Sequence, residues 1–83
     1  MSKKRVVITA GAAGIGLVIA KNYLAEGAKV AICARGQDTL DVTLAALGSN
    51  ACGQALDVRD DAAMAAWVAT AAEKMGGIDI VVS

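Results

Sequence analysis

Three apolar β-branched residues, Val6-Val7-Ile8, run directly into Thr9-Ala10-Gly11-Ala12-Ala13-Gly14-Ile15-Gly16, and this junction constrains the fold more than any other stretch of the chain. A short, continuous apolar run predicts a strand buried on both faces. A helix is predicted from Ile15 to Glu26, closed by Gly27 as the residue after its C-terminus. A glycine-rich turn between strand and helix leaves bare backbone open to a ligand, and the helix N-terminus adds partial positive charge. The turn is therefore a candidate phosphate cradle formed by Ala10, Gly11, Ala13, Gly14, Ile15 and Gly16. The amides of Ala13 to Ile15 are its donors, and Gly16 lets the helix approach the sheet. A merely structural tight turn is the competing reading.

The remaining elements repeat the alternation. Lys29 to Cys33 reads as a second strand. Gln37 to Leu47 carries Leu40, Leu44 and Leu47 at helical spacing, with Gly48 as a stop. Ala51 to Leu56 is a weaker third strand. Asp60 or Asp61 opens a third helix as N-cap or first-turn acid, with Met64, Trp67, Val68, Ala71 and Met75 as its apolar stripe. Gly76-Gly77 ends that helix, and Ile78 to Val82 is a fourth strand. The order βαβαβαβ implies parallel strands joined by right-handed crossovers. The expected architecture is an α/β, Rossmann-like doubly wound sheet ordered 3-2-1-4, with ligand at the carboxyl ends of the strands.

Eighty-three residues hold one domain at most. The 57% hydrophobic content suits a buried sheet, and a net charge of zero leaves no basic footprint for nucleic acid. Lys3-Lys4-Arg5 reads as a solvated strand start. With Val6 to Ala20 it imitates a signal peptide, but three glycines interrupt that stretch and it is shorter than the ~20 residues of a membrane span. No membrane association and a cytoplasmic location are expected. Cys33 and Cys52 have no zinc-site spacing and read as small buried hydrophobes. With no histidine in the chain, no metal site is expected.

At this point the sequence resembles the short-chain dehydrogenase/reductase family. Thr9, Gly14, Ile15 and Gly16 match its Thr-Gly-x-x-x-Gly-Ile-Gly pattern, with Ala10 at the first glycine position and Gly11 one step later. Tyr23-Leu24-Ala25-Glu26-Gly27-Ala28 resembles the family's usual helix end. Asp57-Val58 resembles its pair at the adenine ring. Gly77-Ile78-Asp79-Ile80-Val81-Val82 resembles the approach to its Asn-Asn-Ala-Gly motif, of which Ser83 replaces the first asparagine. The similarity covers essentially the whole chain, as residues 1–83 of one NAD(P)-binding domain with no second domain.

Cofactor choice turns on the end of the second strand. An NAD site usually places a carboxylate there, about 20 residues past the glycines, to accept from the ribose 2′-hydroxyl. This chain has Ala34 and then Arg35. A guanidinium pairs with a 2′-phosphate through two parallel hydrogen bonds, where a carboxylate would repel it. Arginine here is similar to the family's NADP-preferring pattern, so NADP(H) is favoured over NAD(H). The plainer reading of Arg35 is a loop charge. Asp57 also has two readings, as acceptor from the adenine amino group with Val58 behind the ring, or as a helix-capping acid.

The resemblance implies an oxidoreductase acting on an alcohol or ketone. Its tyrosine, lysine and serine are expected beyond this chain, so no catalytic residue is assigned within it. Tyr23 has Gly27 four residues on, not lysine, and reads as a packing residue; Trp67 reads as core and Asp79 as the start of a strand. The 83 residues alone are expected to be inactive, with an exposed apolar edge at Ile80-Val81-Val82. Homo-oligomers are expected only of the complete protein. The alternative is a non-catalytic nucleotide-binding module or sensor.

Overall fold

The computed structural model describes residues 4–9 and 12–83. Its elements run β1 (Arg5–Ile8), α1 (Gly14–Ala25), β2 (Lys29–Ala34), α2 (Gln37–Leu47), β3 (Ala51–Ala55), α3 (Asp61–Met75) and β4 (Ile80–Val82). The four strands form one parallel sheet in the order β3-β2-β1-β4. The α/β class and strand order are as the sequence predicts.

Apolar runs in β1 and β2 are explained by cover on both faces. Val6, Ile8, Val30 and Ile32 point to one side, where they meet Ala20 of α1 and Leu40 of α2. Val7, Ala31 and Cys33 point to the other, against Trp67, Ala71 and Met75 of α3. Side chains alternate across a strand, so a strand sandwiched between helices has no position where a polar residue reaches water. Trp67 is only 2% exposed and anchors the second layer.

Helix ends follow local chemistry. Beyond α1, the N–H of Gly27 donates to Leu24 O and that of Ala28 to Tyr23 O, the paired bonds of a Schellman end, with Gly27 at φ 89°. At α3 the Asp60 carboxylate accepts from the Ala63 N–H at 3.1 Å and Asp61 lies in the first turn. Both acids thus serve the helix start as expected.

β3 contains Gly53 for a steric reason. A Cβ there would lie 2.6 Å from Ile32 O and 2.9 Å from Leu40 Cδ1, so the missing side chain lets α2 settle onto the β2–β3 pair.

Several expectations are corrected. The fourth strand begins at Ile80 rather than Ile78, because Asp79 is drawn into a link with Arg5. Arg5 is consequently a paired charge, although its side chain remains 35% exposed. Its Nε donates to Asp79 Oδ2 at 2.9 Å, its Nη2 to Asp79 Oδ1 at 3.0 Å, and its Nη1 to Gly76 O. Cys52 is half-buried rather than buried, since it sits on the outer strand β3. β4 pairs with β1 alone among the described residues, and Val81 is 60% exposed. No helix among the described residues is long and apolar enough to cross a membrane.

Candidate functional site

In a sheet of this topology the loops at the carboxyl ends of the strands converge where the order reverses, between β1 and β4. Thr9, immediately after β1, closes that point. Its N–H donates to Val82 O at 3.0 Å, and its hydroxyl donates to the same oxygen at 3.4 Å. Ala10 and Gly11 lie outside the described residues. The turn resumes at Ala12, whose carbonyl accepts from the Thr43 hydroxyl of α2 at 3.5 Å.

Ala13 is extended, with φ −156° and ψ 165°, and it provides no side-chain cap for α1. Gly14 follows at φ 60°, in the left-handed region that favours glycine. A Cβ on Gly14 would meet nothing within 4 Å among the described residues, so there is room beside Gly14. The first turn of α1 carries no acid. Amides at a helix start have no partners within the helix, and here no side chain among the described residues caps them. Ile15 is 79% exposed beside them, while Gly16 is half-buried in the first turn. The turn therefore offers uncapped donors and positive helix-end charge to an anion.

A second part of the site lies at the carboxyl ends of β2 and β3. Cys33, Ala34, Arg35, Leu56, Asp57, Val58 and Arg59 line a hollow of about 360 Å³. Ala34 and Arg35 come from the end of β2. Leu56 to Arg59 form the turn into α3, with half of Val58 exposed at the wall. Asp57 does not cap α3, because Asp60 already does. Instead its Oδ1 accepts from the Arg59 N–H at 2.9 Å and from Arg59 Nε at 3.1 Å, and its Oδ2 from Arg59 Nη2 at 2.9 Å. Arg35 Nη2 stands 3.4 Å from the same Oδ2. The Arg59 side-chain and backbone hydrogen bonds hold the Asp57 carboxyl below its ordinary value; desolvation opposes them, and the charge of Arg35 adds a lesser lowering.

Arg59 is the residue that sequence reasoning missed. Its signal was the Asp-x-Arg spacing within a turn, which lets a side chain return to a carboxylate two residues back. Spacing alone gives no direction for either side chain.

A larger hollow, about 420 Å³, is lined by Arg5, Gly27, Lys29, Asn50 and Met75 at the amino ends of the strands. It has no uncapped helix start and lies at the end of the sheet away from the topological switch, so volume does not decide the site.

A parallel sheet ordered 3-2-1-4, with an uncapped glycine turn at its switch point, defines a nucleotide-binding α/β protein of the Rossmann kind. The profile of the short chain dehydrogenase family matches residues 4–83. Sorbitol dehydrogenase of Cereibacter sphaeroides is 41% identical over 80 residues, which cover 96% of this chain and 31% of that protein. An actinorhodin polyketide ketoreductase variant, solved with NADPH, superposes with a TM-score of 0.88 at 36% identity over 95% of this chain and 31% of that one. The 3-ketoacyl-(acyl-carrier-protein) reductase of Brucella melitensis, solved with NADH, gives 0.87 at 32% identity over 94% and 32%. The chain belongs to the short-chain dehydrogenase family. It spans about a third of the length of the relatives it matches, 31% for the sorbitol dehydrogenase.

Proposed function

We propose that this chain is the dinucleotide-binding portion of an NADP(H)-dependent oxidoreductase acting on an alcohol or ketone. The observation that carries the cofactor choice is Arg35. Its side chain is 73% exposed at the carboxyl end of β2, and the residue before it is alanine rather than an acid. The residues present fit a dinucleotide. The uncapped start of α1 and the room beside Gly14 suit a pyrophosphate, held by the turn from Ala10 and Gly11 through Ala13, Gly14, Ile15 and Gly16. Arg35 takes the 2′-phosphate, Asp57 the adenine amino group, and Val58 the face of the ring.

When bound, the nicotinamide gives or accepts the hydride. Carbonyl reduction also needs a proton donor at the substrate oxygen. Tyr23, the one tyrosine of this chain, is half-buried on α1 among core residues and is followed four positions later by Gly27. The reading therefore places the tyrosine, lysine and serine outside residues 1–83, in a complete protein that forms homo-oligomers. Free Cys33 and Cys52 are consistent with a reducing, cytoplasmic setting. The direct test is Arg35→Ala, which should weaken NADPH binding by about tenfold while NADH binding stays within about twofold. Equal losses for both cofactors would count against the assignment.

A further inference from the structure

We infer that Arg59 is a specificity-determining residue, which neutralises Asp57 and so leaves the charge of Arg35 free for the 2′-phosphate of the cofactor. The inference rests on the NADP(H) reading above and adds a residue to it. Asp57 brings a carboxylate into the hollow in which Arg35 stands, and Arg35 Nη2 is 3.4 Å from its Oδ2. A lone carboxylate there would spend the Arg35 charge in an ion pair and repel a phosphate dianion, just as an acid at the end of β2 would. Arg59 removes that conflict. It grips Asp57 through one backbone and two side-chain hydrogen bonds, at 2.9, 3.1 and 2.9 Å, and touches both carboxylate oxygens. Two guanidiniums share one carboxylate, so the cluster keeps one net positive charge.

The geometry assigns the two arginines different work. Arg59 engages Asp57 through paired donors in a planar fork, the arrangement that suits a fixed pair. Arg35 meets Asp57 through a single, longer contact; the two side chains are about equally exposed, 73% and 71%, so the looser pairing is what leaves Arg35 open to a second anion. Arg59 is therefore a positioning residue that acts through Asp57.

The test uses two small probes that differ only in the 2′-phosphate, adenosine 2′,5′-bisphosphate and adenosine 5′-monophosphate. Their dissociation constants are measured by calorimetry on the natural full-length protein. Any change at the adenine ring alters both probes alike and cancels in their ratio. Arg59→Met should lower the preference for the bisphosphate by about tenfold. Asp57→Asn combined with Arg59→Met should return the preference to near its original value, because no carboxylate remains to neutralise. Arg59→Lys, which gives up the fork but keeps the charge beside Asp57, should hold the preference within about threefold. An unchanged ratio in Arg59→Met overturns the inference. So does a double variant as weak as Arg59→Met, since Arg59 would then bind the phosphate itself. If the unsubstituted protein binds both probes equally, the NADP(H) reading itself fails, an outcome separable from the other two.

Discussion

Arg5 Nε and Asp79 Oδ2 lie 2.9 Å apart although 74 positions separate them in the chain. The pair ties the start of β1 to the loop that delivers β4, and a second bond from the Arg5 N–H to Asp79 Oδ2, also 2.9 Å, reinforces it. Asp79 N–H in turn donates to Arg5 O at 2.8 Å. β4 has only three residues, so this link does much to set its register on β1.

The link predicts an acid-sensitive contribution to stability. The Arg5 side-chain and backbone hydrogen bonds lower the Asp79 carboxyl from 3.8 to about 2. A group depressed in the folded state stabilises above its unfolded value and loses that contribution as pH falls through the folded one. The contribution is thus complete above about 3.8 and fades between there and about 2. Asp79→Asn should lower Tm at neutral pH and show a smaller further decrease through that window than the unsubstituted protein. Parallel Tm profiles for the two proteins would show that the pair is energetically silent.

Gly53 and Gly14 should respond to the same substitution for different reasons. At Gly53 an added Cβ collides with the backbone oxygen of Ile32, which cannot rotate away. Gly53→Ala should therefore cost about 1–3 kcal/mol in denaturant unfolding, as overpacking does. At Gly14 there is room among the described residues, and the cost is the left-handed backbone, about 1–2 kcal/mol. That same room is where the pyrophosphate is proposed to sit. Gly14→Ala should accordingly reduce nucleotide affinity far more than Gly53→Ala, measured by calorimetry below both melting temperatures.

Trp67 gives a probe of the layer under α3. It is the one tryptophan of the chain and is 2% exposed among Val7, Ala31 and Cys33. Trp67→Ala should destabilise by about 3–5 kcal/mol, the usual cost of emptying an aromatic core position. Its emission should be blue-shifted in the native state and move red at the unfolding midpoint seen by circular dichroism. Emission already red in the native protein would contradict the burial.

The fold was largely legible because its signals are local. The runs at Val6-Val7-Ile8 and Val30 to Cys33 mark doubly covered strands, Leu40 and Leu44 mark a helix face, and Gly27, Gly48 and Gly76 mark the stops. β4 was read two residues too long because Ile78 resumes the apolar pattern across Asp79, while a partner far away in sequence takes Asp79 out of the ladder. The candidate site draws on two kinds of signal. The glycine turn and Arg35 follow from spacing and charge. The Arg59–Asp57 contact depends on how a turn orients two side chains, and the close approach at Gly53 depends on where α2 lies over β3. Neither is written in residue order.

The most direct measurement of the central claim is the ratio of kcat/KM for NADPH over NADH, determined for the natural full-length protein with a simple ketone. A guanidinium at Arg35, with Asp57 neutralised by Arg59, predicts a ratio of about ten or more in favour of NADPH. A ratio at or below one would contradict the assignment of Arg35 to the 2′-phosphate.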